Sequence, residues 1–216
     1  MMRHLLLINP NSSLATSAMM QAIAQDVAKG EVAVAVATAM RAPPMIVTEA
    51  ALEAAAGEVV EIGLRHQAGC AGIIISAFGD PGLEALRERV GVPVWGICES
   101  SMLAASRGGR RFAVATTTPG LKDAIERRAG DAGVGDLLTS VRCTEGDPVA
   151  LAGDAAAMLD ALAAMVRLCV EEDGAAAVII GGGPLGQAAE KLQGMFATPV
   201  IAPIPCAVAA CLGHRI

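Results

Sequence analysis

The sequence predicts an α/β fold of two pseudo-symmetric lobes, each a mostly parallel four-stranded sheet flanked by helices, with a cleft between the lobes. Three observations predict it. Apolar strand-like runs alternate with longer helical stretches along the whole chain, and strands joined by helices run mostly parallel. The stretch Ile73-Ile74-Ile75-Ser76-Ala77-Phe78-Gly79-Asp80-Pro81-Gly82-Leu83 sets β-branched residues, then small ones, then Asp-Pro-Gly ahead of a charged segment. That is a buried strand feeding a tight turn at a helix N-terminus. The pattern then returns at Ala177-Val178-Ile179-Ile180-Gly181-Gly182-Gly183-Pro184-Leu185. Ile75 aligns with Ile180 at an offset of 105, Pro93 with Pro199 at 106, and Leu5 with Phe112 at 107. Three landmarks whose offsets agree within two residues, near half of 216 residues, indicate two copies of one unit.

Each element has a local reason. His4 to Ile8 is a continuous apolar run, as in a parallel strand buried on both faces. Asn9-Pro10-Asn11-Ser12-Ser13 turns the chain and caps a helix from Leu14 to Ala28. Glu31 to Met40 alternates Val and Ala as a second strand, and Ala42-Pro43-Pro44-Met45-Ile46 is a rigid loop that sets Met45 and Ile46 to wall a pocket. Thr48 caps a helix running to His66. The third strand ends in the Ser76–Gly79 turn, with a helix from Pro81 to Val90; Val92 to Ile97 is the fourth strand. Glu99 opens a helix that stops near Gly108-Gly109, so the first lobe is residues 1–108 and the second 109–205.

The second lobe repeats the plan. Arg111 to Ala115 is a strand, and Thr116-Thr117-Thr118-Pro119-Gly120 replaces Asn-Pro-Asn before a helix from Leu121 to Ala132. Leu138 to Arg142 is a strand, Ala152 to Glu172 a helix, and the Ile179–Gly183 turn follows. Val200 to Ile204 is the last strand. A terminal helix within 206–216 is free to cross back onto the first lobe. Ligands of open α/β sheets bind beyond the carboxyl ends of the strands, so the loops Asn9–Ser12, Ser76–Gly79, Thr116–Thr118 and Gly181–Pro184 should converge on the cleft.

Composition excludes several classes. The chain is 54% hydrophobic but only 2% aromatic, lacks Tyr, and carries a net charge of −6, which argues against a nucleic-acid partner. Mean hydropathy is +0.53. Charges or prolines nonetheless interrupt every apolar run before the roughly 18 residues a span requires, so no membrane partner is expected. Six cysteines, at 70, 98, 143, 169, 206 and 211, form no C-x-x-C pair, and Met1-Met2-Arg3-His4 opens no signal peptide. The expectation is a cytoplasmic protein with reduced thiols. No His, Cys or carboxylate group has metal-ligand spacing, so no metal is expected. Gly181-Gly182-Gly183-Pro184-Leu185-Gly186 matches G-x-G-x-x-G, but the next strand leads into Pro205-Cys206 rather than an acidic residue, which rejects a dinucleotide. No cofactor is expected.

Four segments carry a resemblance: Ile8-Asn9-Pro10-Asn11-Ser12, Phe78-Gly79-Asp80-Pro81-Gly82-Leu83, Gly96-Ile97-Cys98-Glu99 and Thr116-Thr117-Thr118-Pro119-Gly120. With them the chain, over nearly its whole length, resembles the aspartate/glutamate/hydantoin racemase family, nearest to its hydantoin and allantoin racemase branch. The resemblance implies an isomerase in which two cysteines, one from each half, flank the substrate's α-carbon. One thiolate takes the proton and the other thiol returns it to the opposite face, because a planar carbanion inverts only when reprotonated from the far side. This chain departs from the pattern twice: Ala77 follows Ser76 and Gly182 follows Gly181 where the cysteines should stand. Neither side chain can carry a proton. What remains is an oxyanion site, in which the backbone N–H groups of Ala77, Phe78, Gly182 and Gly183 suit a carboxylate or a developing enolate. Asn9, Ser76, Thr116 and Thr117 add neutral donors, and Asn11, Met45, Ile46 and Pro184 complete the expected substrate-binding set.

The expected ligand is a small-molecule carboxylate or hydantoin-type compound, and a homo-oligomer stays open. Two alternatives stand beside the isomerase. One is a cofactor-independent lyase of the arylmalonate decarboxylase kind, since loss of CO2 needs no base to start it; that enzyme's remaining cysteine is also missing here. The other is a non-catalytic binder of a carboxylate or ureide. Cys206, after the last strand, and Glu99, at a helix start, are the candidate proton donors. Against them, a buried Cys usually serves as a small hydrophobe and a first-turn Glu offsets the helix dipole. Asp80 reads as an N-cap rather than an acid, and His4, His66 and His214 as surface residues.

Overall fold

The computed structural model describes residues 3–213, and His214 lies outside them. The first lobe comprises β1 (His4–Asn9), α1 (Leu14–Ala28), β2 (Ala33–Thr38), α2 (Glu49–His66), β3 (Cys70–Ile75), α3 (Leu83–Arg87), β4 (Val94–Gly96) and α4 (Ile97–Ala105). The second comprises β5 (Phe112–Thr116), α5 (Lys122–Asp131), β6 (Leu138–Cys143), α6 (Pro148–Ala152), α7 (Ala155–Glu171), β7 (Val178–Gly181), α8 (Gly186–Gln193), β8 (Val200–Ile201) and α9 (Pro203–Cys211). Their sheets run β2-β1-β3-β4 and β6-β5-β7-β8, the same order, and all pairings are parallel. The repeat visible in the sequence is a repeat of topology.

Burial on both faces explains the unbroken apolar strands. Leu5 and Leu7 of β1 pack against Met20 and Ala24 of α1, while Leu6 and Ile8 pack on the other face against Val59 and Ile62 of α2. In β5, Ala113 and Ala115 meet Leu162 and Val166 of α7, and Phe112 and Val114 face the other way toward Ile125 of α5. Each fully buried Leu, Ile or Val contributes about 1.5–3 kcal/mol.

The last helix of each lobe packs on the other lobe. Cys98, Met102 and Ala105 of α4 share a core with Phe112, Val114 and Ile125, whereas Ile204, Ala207 and Val208 of α9 join Leu5, Leu7 and Met20. The two helices also contact each other at the lobe boundary. This exchange fixes how the strand ends of the two sheets face one another.

Several boundaries differ from the sequence reading, each for a local reason. Pro203 ends β8 at Ile201 and sits at the first turn of α9, where its missing N–H costs nothing. Residues 214–216 of the expected terminal helix lie outside the described residues. Asp80 at φ 52° and Gly82 at φ 77° are left-handed, so no helix can start at Pro81, and α3 is a single short turn from Leu83. Helix α4 begins at Ile97, two residues ahead of Glu99. The segment expected as one helix from Ala152 is two, because Asp154 caps α7 by accepting from the N–H groups of Ala156 and Ala157 at 3.1 and 3.0 Å. All six cysteines are free. Among the described residues no helix is long and apolar enough to cross a membrane.

Candidate functional site

A cavity of about 480 Å³ lies between the lobes, beyond the carboxyl ends of the strands. Its floor is made where the turn after β3 meets the turn after β7. A methyl group on Gly183 would lie 3.2 Å from the Ser76 carbonyl oxygen, and one on Gly181 would lie 3.0 Å from the Phe78 ring. The two turns therefore pass each other with 76 beside 183 and 78 beside 181. Ala77 and Gly182 fall between these contacts, and both line the cavity. Position 183 is tight, since a side chain there would also press on Met20 Sδ at 2.6 Å. Position 182 is freer: its φ of 166° is ordinary extended backbone, and an added carbon would meet only the side chain of Leu185, 2.8 Å from Cδ1.

The polar residues form two tiers. Asn9 is fully buried behind the cavity; its Nδ2 donates to Asn11 Oδ1 at 2.9 Å, Ser17 Oγ at 2.9 Å and the Ser13 carbonyl at 3.2 Å. Its Oδ1 accepts from the Asn11 N–H at 3.1 Å. Asn9 thus presents Asn11, which does line the cavity. Thr116 is likewise buried, with Oγ1 donating to the Gly181 carbonyl at 2.6 Å and lying 3.2 Å from Thr118 Oγ1. It ties β5 to the second turn and leaves Thr117 and Thr118 at the wall. Ser76 lines the cavity, but its Oγ is closed off from it and has no hydrogen-bond partner among the described residues.

Of the residues expected from the sequence, Asn11, Met45, Ile46, Ser76, Ala77, Phe78, Thr117, Gly182, Gly183 and Pro184 line one cavity. Asn9 and Thr116 stand behind it. Two expectations need correction, because neither candidate proton donor reaches the wall. The Glu99 carboxylate is taken by Arg87, whose Nη1 lies 3.1 Å away. Cys206 is buried in α9, and that burial pushes its thiol up to about 12. Asp80 is a cap, but of α4 rather than of its own helix: its Oδ1 accepts from the Cys98 N–H at 2.9 Å and its Oδ2 from the Glu99 N–H at 2.8 Å.

Sequence reasoning missed Thr16 and Met19 of α1, Leu52 of α2, Leu121, and Pro148, Val149 and Ala152 of α6. Thr16 and Met19 sit one turn apart just after Asn-Pro-Asn, a spacing that points one helix face at the loop. Helix α6 left only Asp147-Pro148 as a signal, a cap followed by a first-turn proline. None of the lining residues is ionisable. The cavity offers neutral hydrogen-bond donors inside an apolar wall, which strengthens each donor toward a developing negative charge. Among the described residues no cluster of His, Cys, Asp and Glu could hold a metal ion.

Known proteins share this architecture. A hydantoin racemase from Rhizobium meliloti is 31% identical over 207 residues, which span 95% of this chain and 86% of that protein. Allantoin racemase from Klebsiella pneumoniae superposes with a TM-score of 0.89 at 28% identity, covering 99% of this chain and 89% of that one. Unliganded arylmalonate decarboxylase shares the fold alone, with a TM-score of 0.65 at 19% identity over 98% of this chain and 91% of its own. Residues 5–211 match the family description Asp/Glu/Hydantoin racemase, and the chain belongs to that family.

Proposed function

We propose that this protein is an isomerase that exchanges the acidic α-proton of a neutral, hydantoin-type cyclic ureide, stabilising the enolate with fixed donors and moving the proton through water rather than through two thiols. The observation that carries this reading is the meeting of the two turns at Ala77 and Gly182, inside a cavity whose lining has no ionisable side chain. A charged substrate such as aspartate would enter without a counter-charge, at a cost of several kcal/mol. A neutral ureide needs only donors for its carbonyl oxygens. Asn11, Thr117, Thr118 and the N–H groups of the two turns supply them. The similarity to named hydantoin racemases supports the same substrate class.

Water as proton carrier lowers the expected rate, because a positioned acid or base contributes about 10²–10⁴-fold. The expected outcome in D2O is loss of the C5 proton signal of 5-benzylhydantoin at a rate above buffer. The product should be racemic. No exchange above buffer would overturn the reading. A second reading rests on the apolar part of the wall, which suits the departing CO2 of an arylmalonate, although the carboxylates of that substrate bear the same cost of entering without a counter-charge. Conversion of phenylmalonate with no hydantoin exchange would select it, and ligand-induced shifts without either reaction would select a binder.

A further inference from the structure

The turn that carries Ala77 and Phe78 is held at two points. Upstream, the Ser76 N–H donates to the Ile8 carbonyl at 2.8 Å, which extends the β-ladder to the edge of the cavity. Downstream, the Asp80 N–H donates to the Ala77 carbonyl at 3.0 Å and closes the turn. Asp80 itself is completely buried at φ 52°, a conformation that Asp and Asn tolerate better than other side chains. Its two carboxylate oxygens take the first free N–H groups of α4, and any side chain at Gly96 would collide with that carboxyl group. From the second lobe, Arg128 of α5 brings Nε to 3.9 Å from Oδ2.

We infer that Asp80 is a positioning residue for the cavity: its carboxylate pins the Ala77–Phe78 turn to the N-terminus of α4, and Arg128 links that pin to the opposite lobe. This rests on the proposed role of the turn's N–H groups as enolate donors. The groups facing Asp80 are Cys98 and Glu99 on α4 and Arg128 on α5; Arg87 of α3 occupies Glu99, and Glu84 of α3 and Asp131 of α5 face Arg128. When the carboxylate takes up a proton it keeps one acceptor for two donors. The pin therefore loosens on acidification.

The test is an amide NMR titration of the whole protein between pH 5 and 9, with Asp80→Asn and Arg128→Gln alongside. In the wild type, the Cys98, Glu99, Ala77 and Phe78 amide signals should move together with one midpoint. Asp80→Asn should abolish that movement and lower kcat for 5-benzylhydantoin exchange at least tenfold, with KM changed less than threefold. Arg128→Gln should raise the shared midpoint by at least about half a pH unit, because a neighbouring positive charge is lost. Cys98 and Glu99 titrating while Ala77 and Phe78 stay still would overturn the inference, as would an unmoved midpoint in Arg128→Gln. Concerted titration in a protein that exchanges no hydantoin would uphold the pin and remove only the proposed substrate.

Discussion

The two lobes share a strand order yet hold their cavity turns by different means. The first-lobe turn is fixed by a buried carboxyl group: Asp80 reaches from the turn to cap α4 with both oxygens. The equivalent turn of the second lobe, Gly182-Gly183-Pro184, has no acid; Thr116 Oγ1 fastens the Gly181 carbonyl, the Leu185 N–H closes onto the Gly182 carbonyl at 3.2 Å, and α9, the counterpart of α4, has no side-chain cap. The first turn is fixed by the hydrogen bonds of an acidic side chain and the second by a threonine hydroxyl and close backbone packing in a run of glycines. The two lobes share the path of the chain and differ in the chemistry of the turn. The two positions where they meet, Ala77 and Gly182, now carry no chemistry of their own.

The largest expected effect comes from making the two turns chemically alike. Ala77→Cys combined with Gly182→Cys should raise 5-benzylhydantoin racemisation by about 10²–10⁴-fold, the usual contribution of positioned acid–base groups, measured by polarimetry and by C5 deuterium uptake. Ala77→Cys alone should exchange the proton with little inversion, since one thiol serves one face. Gly182→Cys alone should be the weaker single variant, because its side chain must first displace Leu185, 2.8 Å from the new carbon. Equal rates in the double variant and the wild type would show that the turns do not flank a reacting carbon.

A second contrast separates the lobes by pH. Burial, partly opposed by the two backbone donors and Arg128, raises the Asp80 carboxyl from 3.8 to about 7. In the second lobe, the Arg142 guanidinium beside Asp173 lowers that carboxyl. The signs differ accordingly. Well below pH 3.8 Asp80 is protonated in both folded and unfolded states; as pH rises from there toward 7 only the unfolded state ionises freely, so the first lobe loses stability through that window. The loss approaches ~4 kcal/mol on the order-of-magnitude relation between a pKa shift and free energy. Asp173 works the other way, contributing stability at neutral pH that is lost as acid protonates it. Urea unfolding should show wild type falling relative to Asp80→Asn from pH 4 to pH 8, and falling relative to Asp173→Asn only on acidification below about pH 4. Parallel curves for wild type and Asp80→Asn would mean that Asp80 ionises as easily as it does in the unfolded chain.

The parallel strands alternating with helices were legible from periodicity, and the convergence of the turns from the rule that ligands bind beyond the carboxyl ends of such strands; the order of the strands was not read. A parallel strand buried on two faces must be apolar throughout, as Leu5–Ile8 and Val178–Ile180 are, and a turn at its carboxyl end must be small. The partner of Asp80 was not legible. Its local sequence, Asp-Pro-Gly, reads as the start of the next helix, whereas the structure uses it to cap a helix 18 residues further on. No local pattern encodes a cap that distant. Gly96 carried the one hint, since its missing side chain makes room for that carboxyl. Glu99 and Cys206 were misread for a related reason. Each follows a strand end, where cavity residues are expected, but the helices they open pack across the lobe boundary and turn both side chains away.

That crossing yields the smallest expected effect. Cys206→Ala should change hydantoin exchange less than about twofold, because the thiol is buried in α9 against the first lobe and burial holds it protonated, up to about 12. The cost should appear in stability instead, at about 1 kcal/mol for one buried heavy atom with partial collapse of the space. Exchange assays beside urea unfolding separate the two. If exchange fell tenfold or more with stability intact, the α9 thiol would have to reach the reacting carbon. The second lobe would then hold a proton carrier that the first lobe lacks, and the difference between the lobes would lie in their crossing helices rather than in their turns.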